Sequence, residues 1–511
     1  MQQVPSPISP ETFCTIALGF HERGDLAEAE RLYLQILGAK PAPSASVQFT
    51  AGHMLGIIRH QQGRHDEAVR LIADALRIKP DNPEVLTIYA RVLDAAGRAS
   101  EAIEQYGKAL AANPTHAGAF NNQGVRLLQL KRLQEALICF DKAIALEPKL
   151  AEAWNNRGVT LHGLRRHEEA LRSFDNAVAL KPLNAKSWNG RGSALHSLKR
   201  LADAETSIRQ ALELSPDLPE GLRALGEVLC ESGRAEEGLD AFARHAALTV
   251  HRQAETPLPH KDRHDDEQRS HLKSKGVEIG ESPVPLRMVD GARLSDTVIN
   301  PANSAHEIAA RWQDTNPQIL VIDDFLTPEA LHKLRDFCLD STIWRRVYRE
   351  GYLGAIPEHG FAAPLLAQIA EELRRAYPAV FADHPLCYLW AFKYDSALGG
   401  TQIHADPAAI NVNFWITPDE ANLNPDNGGM VIWDVKAPPD WDFDTYNADA
   451  DANQAFVDRM GAKPRVIPYR ANRAVIFDSD LFHKTDDIEF KDGYANRRIN
   501  VTLLYGRRVQ S

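Results

Sequence analysis

The sequence has little cysteine. Five are scattered through 511 residues (Cys14, Cys139, Cys230, Cys338, Cys387), and no two form a CxxC pair. That spacing excludes a disulfide framework and a cysteine-based zinc site, and it fits a reducing compartment. Long uninterrupted apolar runs are also missing, so no membrane-spanning helix is expected. There is no surplus of basic charge: the formal net charge is -11 and the pI about 6.0. General binding to a nucleic-acid backbone, which needs an excess of Lys and Arg, is therefore not expected. The opening MQQVPSPISPETF has no basic stretch leading into an apolar core, so no signal peptide is expected. These absences point to a soluble cytoplasmic protein. The composition that is present, 44% hydrophobic and 25% charged, is that of a folded chain, and its length suits two to four domains.

The first half repeats itself. Pro80, Pro114, Pro148, Pro182 and Pro216 recur at a constant interval. Twelve residues before each stands an alanine (Ala68, Ala102, Ala136, Ala170, Ala204), and eight before each a bulky apolar residue (Ile72, Tyr106, Phe140, Phe174, Ile208). Small residues recur at Gly56, Ala90, Gly124, Gly158 and Gly192. Two short helices cross closely only where side chains are small, a bulky residue fills the gap between them, and proline ends the second helix. The pattern resembles the tetratricopeptide repeat. A further unit fits residues 10–43, with extra residues before the next, and a degenerate one fits 219–250, giving about seven repeats over 10–250. The resemblance implies an all-α solenoid whose concave surface takes a protein or peptide partner. Asn121, Asn122, Asn155, Asn156 and Asn189 recur near one face of successive first helices. Their amides can both donate to and accept from a peptide backbone, as in the asparagine ladders of O-linked N-acetylglucosamine transferases, or they can tie adjacent helices together. Trp154 and Trp188 occupy a packing position.

Residues 251–288 are polar and mixed in charge, and are expected to form a linker. His251, His260, His264 and His271 in this stretch are expected to be solvated rather than to bind metal. From 289 to 511 the texture becomes α+β. A short apolar strand (ILVI) precedes a Thr-capped helix (TPEALHKLRDFCLD), then an amphipathic helix (PLLAQIAEELRRAYP) and a series of short strands. Helices first and strands afterwards suggest a jelly roll with packed helices.

His404-Ala405-Asp406 ends one strand-like run, and His483 follows much later in FDSDLFHKT. Residues i and i+2 of a strand share a face, so His404 and Asp406 can present an imidazole and a carboxylate to one point. A second imidazole from a facing strand completes two His and one carboxylate, the facial triad of non-haem Fe(II) oxygenases. The HxD pattern alone means little, since it recurs at His260/Asp262 and His264/Asp266. The order around it carries more: Arg498 opens RINVTLL, and on an alternating strand Arg498, Asn500 and Thr502 share a face. A buried Arg there can fork onto a carboxylate. Arg497 stands beside it, and alternation with Thr502 favours Arg498.

Residues 315–508 resemble a 2-oxoglutarate/Fe(II)-dependent dioxygenase of the prolyl 4-hydroxylase-like group, with a double-stranded β-helix (jelly-roll) fold. The resemblance implies His404, Asp406 and His483 as iron ligands and catalytic residues, and Arg498 as partner of the cosubstrate's distal carboxylate. It implies Tyr394 as a further cosubstrate contact, with Asn413 and Asn500 as weaker candidates. It also implies Fe(II), 2-oxoglutarate and O2, with ascorbate as an accessory reductant. Asp406 is a carboxylate where related halogenases have Gly or Ala, so hydroxylation is expected. The repeats suggest a protein or peptide target; a small-molecule target, or a non-catalytic scaffold with a decayed oxygenase domain, are the alternatives. The acidic stretch 434–460 is read as a mobile lid or an inert surface excursion. Asp440, Asp442 and Asp444 alternate like a calcium loop but lack its glycine and closing Glu.

Overall fold

A computed structural model describes residues 9–250, 258–280, 284–289, 291–395, 400–438, 441 and 443–507. Fourteen helices come first, from Pro10–Glu22 to Ala235–Thr249, in seven consecutive pairs joined by tight turns. The periodic residues do the packing that their sizes suggest. Phe140 and Phe174 are buried, and a Cβ added at Gly124 or Gly158 would stand 2.7 or 2.8 Å from the facing ring, too close to fit. The extra residues after the first unit lengthen the next helix, Ala45–Gln61, to 17 residues. Each inner turn needs one left-handed residue. Gly24, Gly63, Gly97 and Gly233 supply it at no steric cost, whereas Lys131, Arg165 and Lys199 adopt φ near +60° in the same place.

The chain divides after Leu198 into two compact units, inside the sixth helix pair rather than at the expected boundary of 250. The reason is packing. Cys230, Leu239 and Phe242, on the last pair of helices, belong to the same apolar core as Leu334, Leu366 and Ile369 of the region that follows.

That region is rich in β-structure. Its strands are β1 (Ile319–Ile322), β2 (Arg346–Val347), β3 (Tyr352–Ala355), β4 (Leu386–Tyr394), β5 (Ile410–Trp415), β6 (Met430–Lys436), β7 (Pro464–Ile467), β8 (Ala474–Asp478), β9 (Leu481–Thr485) and β10 (Ile499–Tyr505). They form a seven-stranded sheet in the order β1-β8-β5-β10-β4-β3-β2 and a three-stranded sheet β7-β6-β9. All of the named pairings are antiparallel. Alternation sorts the side chains of the larger sheet. Val412, Phe414, Val501 and Leu503 join the core shared with the helices Pro328–Asp340 and Pro364–Ala376. Trp415, Val475 and Phe477 pack with Met430, Ile432 and Leu481 of the smaller sheet.

The expected linker is not an open one. Pro259–Ser274 is a helix with His260, His264, Gln268 and Leu272 buried. Gln268 donates to the carbonyls of Leu339 and Ser341, and His271 pairs with Asp340 at 2.9 Å. These histidines are neither solvated nor gathered at a metal: the ring of His264 lies against Tyr494, 5.4 Å between centroids. His251 lies outside the described residues. Lys393, on the core face of β4, is also buried, and its Nζ sits 3.3 Å from the centroid of the Tyr494 ring. Burial pushes its pKa well below the usual lysine value, which favours the neutral amine in a place with no carboxylate partner among the described residues.

Candidate metal centre

His404 and His483 face each other across an antiparallel bridge. Each backbone N–H donates to the other's carbonyl, at 3.0 and 2.8 Å, so strand pairing fixes the separation of the two imidazoles. Asp406 follows on the same face, and its N–H donates to the Ser479 carbonyl. One ligand atom from each of His404, Asp406 and His483 lies within 4.8 Å of the other two. Among the described residues this is the one such group of three or more His, Cys, Asp or Glu.

The surroundings fix the ligands' orientation and protonation. His404 Nδ1 lies 2.6 Å from the Gln402 carbonyl and His483 Nδ1 3.0 Å from that of Leu481. A ring whose Nδ1–H donates to a carbonyl keeps its Nε2 lone pair for a cation. Both Nε2 atoms turn toward Asp406, at 3.9 Å for His404 and 3.3 Å for His483. Burial, with the neighbouring His483 second, pushes the His404 pKa down to about 4. Burial acts to raise the Asp406 pKa, but hydrogen bonding and charge from His483, the nearby His404 and the Asn411 amide outweigh it and hold it below the usual carboxylate range. A neutral imidazole and an ionised carboxylate are the forms a divalent cation binds. Two neutral-capable nitrogens and one oxygen on one side of a point suit Fe(II) or another first-row cation.

Arg498, in the same cavity as the triad, is 2% exposed. Its Nε and Nη2 donate to the carbonyls of Gly428 and Gly429, and its Nη1 to Asn500 Oδ1 at 3.3 Å. The guanidinium stands over the rings of Tyr394 and Trp415, 4.7 and 5.6 Å from their centroids. Burial lowers its pKa, while Tyr394, Tyr469 and the more distant Asp486 carboxylate act the other way. Among the described residues no carboxylate comes within ion-pair distance of it. Arg497 points elsewhere and pairs with Glu267 and Asp395, so of the two arginines it is Arg498 that lines this cavity. Asn500 and Asn413 both donate to Thr502 Oγ1, so the two asparagines form one polar ladder. Tyr394 lines the cavity, with its hydroxyl 3.2 Å from Thr485 Oγ1.

Three participants were not legible as such. Asn411 donates to Asp406 Oδ2 at 2.6 Å; its alternation with Asn413 on β5 was the available signal. Thr485 bonds Thr401 at 2.6 Å as well as Tyr394. Asn453 is fully buried and donates to the carbonyls of Ile403 and Tyr446, clamping the segment that carries His404. Part of stretch 434–460 thus packs against the segment that carries His404. Its helices Phe443–Ala448 and Ala450–Arg459 place Tyr446 and Val457 in one apolar cluster with Ile403 and Ala405. Asp440, Asp442 and the side chain of Asp444 lie outside the described residues. His404 and Asp406 also border a wider groove walled by Tyr348, Tyr352, Trp390 and Phe392.

The asparagines of the helical half are largely engaged with each other. Asn156 donates to Asn121 at 3.0 Å and Ser187 to Asn155 at 3.0 Å, ties between successive repeats. The Asn189 Oδ1 is buried without a hydrogen-bond partner. Asn122 is partly exposed, and its amide is not engaged in these ties. Trp154 and Trp188 are half-buried and donate their indole N–H to the carbonyls of Pro148 and Pro182.

No curated protein matches the chain. Among solved structures it resembles the MamA protein at 23% identity, over 34% of this chain and 94% of that one, with a TM-score of 0.32. A tetratricopeptide repeat protein from Parabacteroides merdae shares 21% identity over 47% of this chain and 93% of its own, with a TM-score of 0.39. YrrB, described as a TPR protein with an unusual peptide-binding site, shares 18% identity over 35% and 93%, with a TM-score of 0.31. Tetratricopeptide-repeat family models match residues 15–83, 59–122, 117–150, 139–172 and 156–219. Residues 15–219 are tetratricopeptide repeats.

Proposed function

We propose that the β-rich region is a jelly-roll 2-oxoglutarate/Fe(II)-dependent dioxygenase that hydroxylates a protein or peptide recruited by the repeats. The observation that carries this reading is the pairing, in one cavity, of a His404/Asp406/His483 donor set with a buried guanidinium that has no carboxylate partner among the described residues. A buried cation without a counter-charge is costly unless a ligand supplies one. The donor set fits Fe(II), and the Arg498 fork fits the far carboxylate of a dicarboxylic acid. When bound, Fe(II) with 2-oxoglutarate and O2 supplies oxidative decarboxylation to succinate and CO2, coupled to conversion of a substrate C–H to C–OH.

The chain's own part is binding and positioning. His404, Asp406 and His483 would hold the metal on one side and leave the other open. Arg498 would hold the dicarboxylate, with the Tyr394 ring beneath it and Asn500 alongside. The buried walls would exclude water, while the aromatic groove admits the target. Protein-binding is the role tetratricopeptide repeats support, and a binding arm would raise the local concentration of target near the site. Asn122 is the ladder member best placed to contact that partner.

The test is succinate formation from 2-oxoglutarate with Fe(II) under air, compared with His404→Ala. Activity in the parent that vanishes in the variant is the expected result. A parent that binds no iron and never consumes 2-oxoglutarate sinks the proposal.

A further inference from the structure

The helix Pro259–Ser274 docks with almost no apolar surface: of its four buried residues only Leu272 is hydrophobic. Charge holds the rest. Glu267 accepts from Arg497 Nε and Nη2 at 2.9 and 3.1 Å, and Arg263 pairs with Asp395. Arg497 Nη1 lies 3.4 Å from Asp395, so three ion pairs link Glu267, Arg497, Asp395 and Arg263 in a row. The strand-side members are well shielded, with side-chain exposures of 10% for Arg497 and 9% for Asp395. A shielded charge that loses its partner is destabilised far more than a surface one.

What matters is where this row of ion pairs attaches. Asp395 directly follows Tyr394, and Arg497 directly precedes Arg498. Tyr394 N–H donates to the Arg498 carbonyl at 3.0 Å, and the Arg498 guanidinium stacks over the Tyr394 ring. The row of ion pairs thus spans the ends of β4 and β10 at the residues whose neighbours project into the cavity. No residue of the helix lines that cavity.

We propose that the helix Pro259–Ser274 is a positioning strap: through Glu267–Arg497 and Arg263–Asp395 it sets the placement of Arg498 and Tyr394, and so tunes affinity for the dicarboxylate without touching it. This rests on the dioxygenase reading for the identity of the dicarboxylate. Glu267 and Arg263 are positioning residues, and their effect should separate dicarboxylate binding from metal binding, because His404, Asp406 and His483 are held by other contacts.

The experiment titrates 2-oxoglutarate calorimetrically into the full chain loaded with Fe(II) and kept free of oxygen. Glu267→Ala and Arg263→Ala are compared with Lys273→Ala, an exposed position on the same helix. Each of the first two should weaken 2-oxoglutarate binding about three- to tenfold, raise KM for it with kcat retained, and leave Fe(II) affinity unchanged. Glu267→Asp should recover part of the loss, and Lys273→Ala should match the parent. Hydrogen exchange at the Tyr394 amide should quicken in the same two variants. Unchanged 2-oxoglutarate affinity, or equal loss of metal and 2-oxoglutarate binding, overturns the strap. If the parent binds metal but no 2-oxoglutarate, the dioxygenase reading fails, and the strap is then judged on exchange alone. Faster Tyr394 exchange confined to Glu267→Ala and Arg263→Ala supports it; exchange equal to the parent overturns it.

Discussion

Arg498 brings a positive charge into a place that offers it three hydrogen-bond acceptors and two rings but, among the described residues, no ion-paired carboxylate. Replacing it with Met keeps the bulk and removes the fork. Charge-assisted hydrogen bonds of this kind are each worth about 1.5–3 kcal/mol. Arg498→Met should therefore weaken 2-oxoglutarate binding by on the order of a hundredfold while metal affinity stays the same, measured by titration of each ligand in turn. Lys at this position should not restore binding, because an ammonium cannot present two parallel donors. Asn453 makes the complementary case. It touches no proposed ligand atom, yet it fastens the carbonyl of Ile403, next to His404. Outer contacts of this type change metal affinity by about 10- to 100-fold. Asn453→Ala should cost about tenfold in Fe(II) or Co(II) affinity without releasing the dicarboxylate anchor.

Within the elements, the repeats show how far a local pattern can be read. Proline, alanine and glycine positions announce the helix pairs because each repeat restates the same short-range packing problem. The inner turns add a detail that their composition conceals: Lys131 and Arg165 take the left-handed conformation that glycine holds elsewhere in the array. A non-glycine residue there costs about 1–2 kcal/mol. Arg165→Gly should accordingly stabilise the array by about 1 kcal/mol, seen as a higher urea midpoint. Gly158→Val should do the reverse by about 1–3 kcal/mol, since its Cβ would press on Phe174. The polar helix Pro259–Ser274 was not legible, and the reason is physical. Its low hydrophobicity looks like linker, and its partners Asp340, Asp395 and Arg497 are distant in sequence. Strands β2 and β3 escaped for another reason: two and four residues are too short to show a period.

That same helix gives the C-terminal unit an acid sensitivity. Burial pushes the His264 pKa down to about 3, against an ordinary value of 6.5. Between those values the unfolded chain binds a proton that the folded one refuses, so stability is full above pH 6.5 and is lost as pH falls below it. Urea midpoints at pH 7 and pH 5 should differ accordingly, and His264→Gln should flatten the difference.

For the whole molecule, the two compact units redefine where the chain can be cut. The sequence places its boundary where the repeat pattern stops, at 250, whereas the core that contains Leu334 and Leu366 also claims Cys230, Leu239 and Phe242. Periodicity reports which residues share a pattern; it is silent about which core they enter. Each such apolar side chain contributes about 1.5–3 kcal/mol when buried. A fragment beginning at residue 199 should unfold at a clearly higher urea concentration than one beginning at 251. Equal midpoints would show that the last repeat adds nothing to this core. The candidate metal triad was legible for the opposite reason: the close spacing of His404 and Asp406 marks them as a pair, although here a single bridge to His483, not a regular strand, carries His404. What spacing could not reveal were the carbonyl and amide partners, Gln402, Leu481 and Asn411, that orient those ligands.

The direct backbone pairing of His404 with His483 has one more consequence. The two imidazoles are registered to each other through their own peptide groups, so the chain between them does not set their spacing. What that interval must deliver is a short set of contacts, among them Asp406, its partner Asn411 and the Gly428 and Gly429 carbonyls under Arg498. The helical excursion after β6 lies in this interval and braces the His404 segment from outside, so new surface can be added there only where Asn453 and Tyr446 keep their places.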